Sequence, residues 1–164
     1  MARNVLVSLM AVVSAIIIIT NLWLAVLQVD GSSMSPLLQM DEIVIAVRDT
    51  RPAKNDIIAF YYSNKIHIKR VIATGGDQVN IDEAGAVTVN GRPLDEPYIT
   101  NFSLGTCDIE FPFQVPPETV FVLGDNRPSS QDSRDSQFGT VSKEQLIGKV
   151  KFGVWPLKKF GAVS

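Results

Sequence analysis

Between Arg3 and Asp30 the chain carries no charge, and Val5 to Val29 forms an apolar-rich run of 25 residues centred on Ala15-Ile16-Ile17-Ile18-Ile19. About 20 such residues cross a bilayer as a helix, and a slightly longer run crosses with tilt. Trp23 stands near the far end, where interfacial aromatics are common. A cleaved secretory signal has a shorter apolar stretch, about 7–15 residues, followed by a small-x-small site. The exit Leu24-Ala25-Val26-Leu27-Gln28-Val29 offers no good site of that kind. A buried core helix would be shorter or amphipathic. The expectation is an uncleaved transmembrane anchor over residues 1–29. Arg3 and the amino terminus are the nearby positive charges, so the positive-inside rule keeps the N-terminus cytoplasmic and sends residues 30–164 across.

The rest of a 164-residue chain suffices for one globular unit. A single cysteine, Cys107, excludes an intrachain disulfide framework and any cysteine-rich zinc module. A single histidine, His67, excludes a multi-histidine metal site. With 15 basic against 17 acidic residues, the chain lacks the basic excess that nucleic-acid binding demands. No Gly-rich phosphate loop occurs, and no metal or cofactor is expected.

Short β-branched runs fill the region after Asp30: Ile43–Val47, Ile57–Phe60, Ile66–Ile72, Val87–Val89 and Val120–Leu123. Turn signals separate them at Arg51-Pro52, Gly75-Gly76-Asp77, Asn90-Gly91, Pro116-Pro117 and Gly124-Asp125-Asn126. Asn90-Gly91 suits a type I′ hairpin turn. One helix is expected from Ser142 to Gly148, with Ser142 and Gln145 as a capping box. The predicted fold is mainly β: an antiparallel sheet or barrel behind the anchor helix, with an inserted lobe over residues 79–115.

Three segments carry candidate chemistry. Ser32 and Ser33 follow Gly31, which permits a tight turn and close approach of a substrate backbone. A serine needs a base. His67 is the only imidazole, and Lys69 lies two residues along on the same strand face. A lysine between Ile68 and Val71 loses its proton more easily when buried, and must fall about two to three units to act near neutrality. The alternative is a lysine snorkelling from a sheet edge. The polar stretch Gly124–Arg134 reads either as a solvated loop or as a hydrogen-bonded layer that orients a base.

Together these segments resemble the type I signal peptidases, the membrane-bound Ser-Lys proteases, of the single-anchor Gram-positive-like type. Gly31-Ser32-Ser33-Met34-Ser35-Pro36 is similar to the serine box, Asn55–Phe60 to the Gly-Asp-Ile-Val strand, Ile68–Asp77 to the lysine box, and Gly124–Arg134 to the last box. The resemblance implies Ser33 as nucleophile and Lys69 as general base. It puts Ser130 and Asp132 in support of the lysine, with Ser130 hydrogen-bonded to its amine. Gly31, Ser32, Met34 and His67 become oxyanion or substrate-lining positions. Arg70, Gly76, Asp77, Gly124, Asp125, Asn126, Arg127, Ser133 and Arg134 match as structural motif. A second Ser-x-Asp, Ser133-Arg134-Asp135, overlaps the first. Lysine-box and serine-box departures (Gly75, Ala73, Pro36-Leu37-Leu38) remove no reacting group.

The resemblance implies removal of signal peptides after a small-x-small site, through an acyl-enzyme. The implied partners are signal-peptide-bearing preproteins, the lipid bilayer and a nearby secretion translocase, with no nucleic acid. The implied location is the plasma membrane, single-pass, with the catalytic domain outside. Ser33 would then stand roughly 5–15 Å from the membrane surface. His67 is expected to take no catalytic part, and Cys107 to be a lone thiol in the lobe. Three alternatives stay open: a soluble self-cleaving repressor, which would lack the apolar run; a mitochondrial inner-membrane peptidase; and a non-catalytic or specialised homologue in surface-protein or pilus assembly.

Overall fold

The computed structural model describes residues 2–49 and 51–163, without the side chains of residues 2, 3, 15, 16 and 18–21. Arg3 and most of the run's centre, Ala15, Ile16, Ile18 and Ile19, therefore lie outside the described side chains.

Among the described residues, one α-helix, α1 (Ala2–Trp23), precedes twelve strands. They are β1 (Leu24–Gln28), β2 (Ile43–Val47), β3 (Ile57–Tyr62), β4 (Lys65–Thr74), β5 (Gln78–Ile81) and β6 (Val87–Val89), followed by β7 (Arg92–Pro93), β8 (Phe113–Gln114), β9 (Thr119–Leu123), β10 (Val141–Ser142), β11 (Leu146–Trp155) and β12 (Gly161–Ala162). The larger sheet has the order β1-β2-β11-β3-β4-β9-β10, with β12 on β11, and its recorded pairings are antiparallel. The smaller sheet has the order β7-β6-β5-β8 and draws on residues 78–114.

The expected β architecture is present, but the expected transmembrane anchor is not. Among the described residues, no helix is long and apolar enough to cross a membrane. The single-pass placement, and the distance of Ser33 from a bilayer that followed from it, are overturned with it. The apolar run is divided between two structures. Helix α1 stops at Trp23, and Leu24–Gln28 pair with β2 in the register Leu24↔Val47 to Gln28↔Ile43. Leu27 and Val29 enter the core beside Val44 and Ala46. A continuous apolar run does not by itself distinguish helix from buried strand, and here the partner strand decides.

The expected helix at Ser142–Gly148 is also absent. Gln145 Oε1 accepts the Ser142 N–H at 2.9 Å, as a capping box requires, but only one 3-10 turn, Lys143–Gln145, follows. Leu146 then opens β11, whose Ile147 and Val150 join the same core as β2. Gly148 stops nothing: a Cβ there would stand 2.2 Å from the Val47 carbonyl oxygen, so its bareness lets β11 close on β2. Asn90 and Gly91 have φ of 53° and 74°, the left-handed pair that a type I′ turn between β6 and β7 requires.

Strand alternation sends side chains to two faces and builds the core in three clusters. One gathers Met34, Leu38, Val44, Ile57 and Ile68. A second joins Ile72, Phe121 and Leu123 to Val79, Ile81 and Val87 of the smaller sheet. The third packs Ile58, Phe60, Val71, Val122 and Phe138. Each large side chain buried this fully contributes about 1.5–3 kcal/mol. Ile68, Val71, Ile72 and Ala73 of β4 enter these clusters, and so flank Lys69 on its strand.

Candidate active site

Three chain segments meet at β4. Residues 31–35 turn directly after β1, where Gly31 adopts φ +109° and the Ser35 N–H donates to the Ser32 carbonyl at 3.0 Å. That turn carries Ser33 over the middle of β4. The loop after β9 approaches from the other direction. Its Asn126 N–H donates to the Ser33 carbonyl at 3.0 Å, and its side-chain amide to the Ser32 carbonyl at 3.1 Å.

Lys69 Nζ lies 2.7 Å from Ser33 Oγ, within hydrogen-bond distance. The lysine is only 3% exposed, so it does not snorkel. Burial disfavours its charged form and, with Arg134 adding in the same direction against the opposing charges of Asp132 and Asp125, lowers its pKa to about 8. An amine of that pKa is substantially neutral near pH 8 and accepts a proton, whereas an exposed lysine does not. The pair is thus a hydroxyl and a base at transfer distance.

Asp132 supports this place without touching the lysine. Its carboxylate accepts the Gly124 N–H at 3.0 Å and both Arg134 Nε and a terminal Arg134 nitrogen at 2.8 Å. Arg134 also donates to the carbonyls of Leu104, Arg127 and Ser130, so one guanidinium ties the last box together. The overlapping Ser133-Arg134-Asp135 has other partners. Ser133 Oγ accepts the Val122 N–H at 3.0 Å, sealing β9. Asp135 caps the adjoining turn, accepting from Gln131 and Gln137 at the surface.

The hydrogen bond expected between Ser130 and the Lys69 amine is not made. Ser130 Oγ is buried without a hydrogen-bond partner among the described residues. The lysine's bond goes to Ser33 instead, while Ser130 packs on Gly124. A Cβ on Gly124 would fall 2.3 Å from Ser130 Oγ and 2.5 Å from the Ser33 carbonyl oxygen, so the glycine lets both serines approach.

Of the remaining sequence candidates, Gly31, Met34 and His67 line a cleft of about 460 Å³ together with Ser33, Ile66 and Ile68. Ser32 is not on that wall and holds the turn through its carbonyl. His67 sits among Phe60, Tyr62 and Phe138, with ring centroids 5.7–6.0 Å away. Burial, followed by the charges of Lys69 and Lys65, lowers its pKa. Gly76 adopts φ +92° in the turn after β4. Asp77 accepts from Thr74, Asn90 and Lys54. Burial opposes its ionisation, but those donors outweigh it and hold its pKa at about 2. Cys107 is half-buried, 3.7 Å from the Ile109 carbonyl.

Sequence reasoning missed Glu96 and Tyr98. Arg70 forms a paired ion bridge to Asp125 at 2.9 and 2.8 Å, and its guanidinium lies 3.8 Å from the centre of the Tyr98 ring. Arg127 donates to the Gly124 carbonyl at 3.1 Å and to Glu96, which also accepts from the Tyr98 hydroxyl at 3.0 Å. Burial and the neighbouring Glu96 carboxylate raise the Tyr98 pKa. Glu96 reaches Arg127 and the Tyr98 ring meets Arg70, both distant in the chain, so no local pattern announces them. Among the described residues, no cluster of side chains suited to a metal ion occurs.

Comparison with known proteins gives this geometry a lineage. A family model described as signal peptidase, peptidase S26, matches residues 1–155. A signal peptidase I of Bacillus caldolyticus is 37% identical over 148 residues, covering 80% of this chain and 80% of that protein. A signal peptidase IB of Staphylococcus aureus is 34% identical over 153 residues, covering 80% and 78%. The crystal structure of a signal peptidase I from Enterococcus faecalis matches with a TM-score of 0.50 and 32% identity, covering 60% of this chain and 96% of that one. The chain belongs to the type I signal peptidases of the S26 family, and it is a serine endopeptidase that cleaves signal peptides from exported preproteins.

Proposed function

We propose that Ser33 and Lys69 carry this reaction as a nucleophile and base. Neutral Lys69 takes the Ser33 hydroxyl proton while Oγ attacks the carbonyl carbon of the scissile peptide. The oxyanion that forms is met by the Ser33 N–H, which donates to no other described residue. Collapse breaks the C–N bond. The new amino terminus of the mature protein leaves with the proton from Lys69, and the signal peptide stays as an ester on Ser33. Lys69 then takes a proton from water, the resulting hydroxide attacks the ester, and Ser33 regains its proton.

Supporting residues divide the remaining work. Asp132, held by Arg134, fixes Gly124 and supplies a negative charge that moderates the lysine's loss of basicity. Ser130 brings a buried, unspent hydroxyl to the same place, available to the Lys69 amine once Ser33 is acylated. Residues 30–164 form the catalytic unit in this reading, and residues 79–115 its subsidiary lobe. The substrates are preproteins with small residues at −1 and −3, met where they leave the translocation machinery. They would enter the cleft walled by Met34, Ile66, His67 and Ile68.

The observation that carries the reading is the 2.7 Å contact between a hydroxyl and a buried lysine. Its test is cleavage of a preprotein by the full chain in detergent, beside Ser33→Ala, Lys69→Ala and His67→Ala. Loss in the first two alone is expected. Activity surviving either of those changes sinks the dyad.

A further inference from the structure

We propose that Asn126 is a positioning residue that aims the oxyanion-binding N–H of Ser33. The inference rests on Ser33 being the nucleophile. Ser32 C=O and Ser33 N–H belong to one peptide unit, which is planar and trans, so its carbonyl and its N–H point in opposite directions. Whatever grips the Ser32 oxygen therefore aims the Ser33 hydrogen.

Two donors grip that oxygen. The Ser35 N–H, at 3.0 Å, comes from within the same turn and moves with it. The Asn126 amide, at 3.1 Å, comes from the loop after β9 and is the grip that refers the peptide to the rest of the fold. The Asn126 backbone N–H, at 3.0 Å, takes the Ser33 carbonyl as well, so the peptides on both sides of the Ser33 Cα are held by one residue.

That loop is itself tied down. Arg127 anchors it to the Gly124 carbonyl and to Glu96, while Arg70 grips Asp125, and all four charged groups are buried. Asn126 thus transmits a rigid reference frame to a turn that contains Gly31, the residue with the most backbone freedom beside the nucleophile. The hydroxyl of Ser33 is positioned separately by Lys69. Losing the Asn126 amide therefore misaims the oxyanion donor while leaving the nucleophile and base in contact.

The consequence is selective. A misaimed donor weakens the tetrahedral state and leaves ground-state substrate binding alone. Asn126→Ala keeps the backbone bond to Ser33 and removes only the side-chain grip. Asn126→Asp preserves shape but turns a donor towards an oxygen into a second acceptor.

The experiment compares wild type, both variants and Ser33→Ala, all as full chains in detergent. It uses a peptide spanning a small-x-small site, a peptide aldehyde that adds to the serine as a tetrahedral adduct, and the carboxylate product peptide. Both Asn126 variants are expected to lose about tenfold in kcat and about tenfold in aldehyde affinity. KM and product-peptide affinity should stay within about twofold. Unchanged kcat in both variants overturns the proposal, as does an equal loss of aldehyde and product-peptide binding. Full activity in Ser33→Ala overturns instead the nucleophile assignment beneath it.

Discussion

Lys69 and Ser33 come from segments separated by 36 positions, yet Nζ and Oγ lie 2.7 Å apart beneath a surface that leaves the lysine 3% exposed. Burial both creates the contact and makes it reactive. The base must be neutral to act, so kcat/KM should rise with pH along a limb centred near 8, the pKa to which burial lowers Lys69. Asp132→Asn removes a charge that favours the ammonium form, so the limb should move to lower pH. A pH profile with a fluorogenic peptide checks both, and a limb that stays put in Asp132→Asn argues against the electrostatic link.

The same burial costs stability. The Lys69 pKa falls from 10.5 unfolded to about 8 folded, so the unfolded chain binds more protons between those values and stability rises with pH across that window. Below it the penalty is present in full. Lys69→Met should therefore abolish cleavage yet raise unfolding stability at pH 7 by about 3 kcal/mol, with the gain shrinking towards pH 10.5. Urea denaturation at both pH values tests this, and a destabilised Met variant would contradict it.

Gly124 has no room for a side chain, with Ser130 Oγ and the Ser33 carbonyl 2.3 and 2.5 Å from a Cβ position. Gly124→Ala should cost at least about 100-fold in kcat, because displacing the nucleophile by an ångström has that scale of effect. Adding Ser130→Gly relieves only one of the two clashes and should not restore activity. Steady-state kinetics of the single and double variants decide it.

Glu96 is buried against Arg127 and is its carboxylate partner. Glu96→Ala leaves a guanidinium charge unpaired and should destabilise the fold by about 3–5 kcal/mol, with Glu96→Gln costing less. Thermal unfolding read beside activity measures this. A melting curve like that of wild type would mean that the pair holds nothing.

His67 lines the cleft but touches neither reacting atom. His67→Phe should keep kcat within about twofold and leave the pH limb unmoved, since the titrating base is Lys69. KM for substrates with different −1 residues is the quantity expected to change. A limb displaced in this variant would put the imidazole into the reaction.

Local sequence determined the short β strands, the Asn90-Gly91 turn and the chemistry of each box, because side-chain alternation and left-handed turn residues act over a few positions. It also set Lys69 apart as an amine of unusual setting, while between Ser32 and Ser33 only the resemblance chose. Tertiary structure alone decided the rest. The apolar run was legible as apolar, but only pairing with β2 turned Leu24–Gln28 into a strand, since a continuous hydrophobic stretch suits either form. Ser142–Gly148 had helix signals, and the demand of Ile147 and Val150 for the core beside β2 overrode them. Ser130 had the right place in its box, yet the lysine spent its bond on Ser33. Glu96, Tyr98 and the two Asn126 contacts were invisible because their partners are distant in sequence, and a buried charge or carbonyl is satisfied by whatever the fold brings within 3 Å.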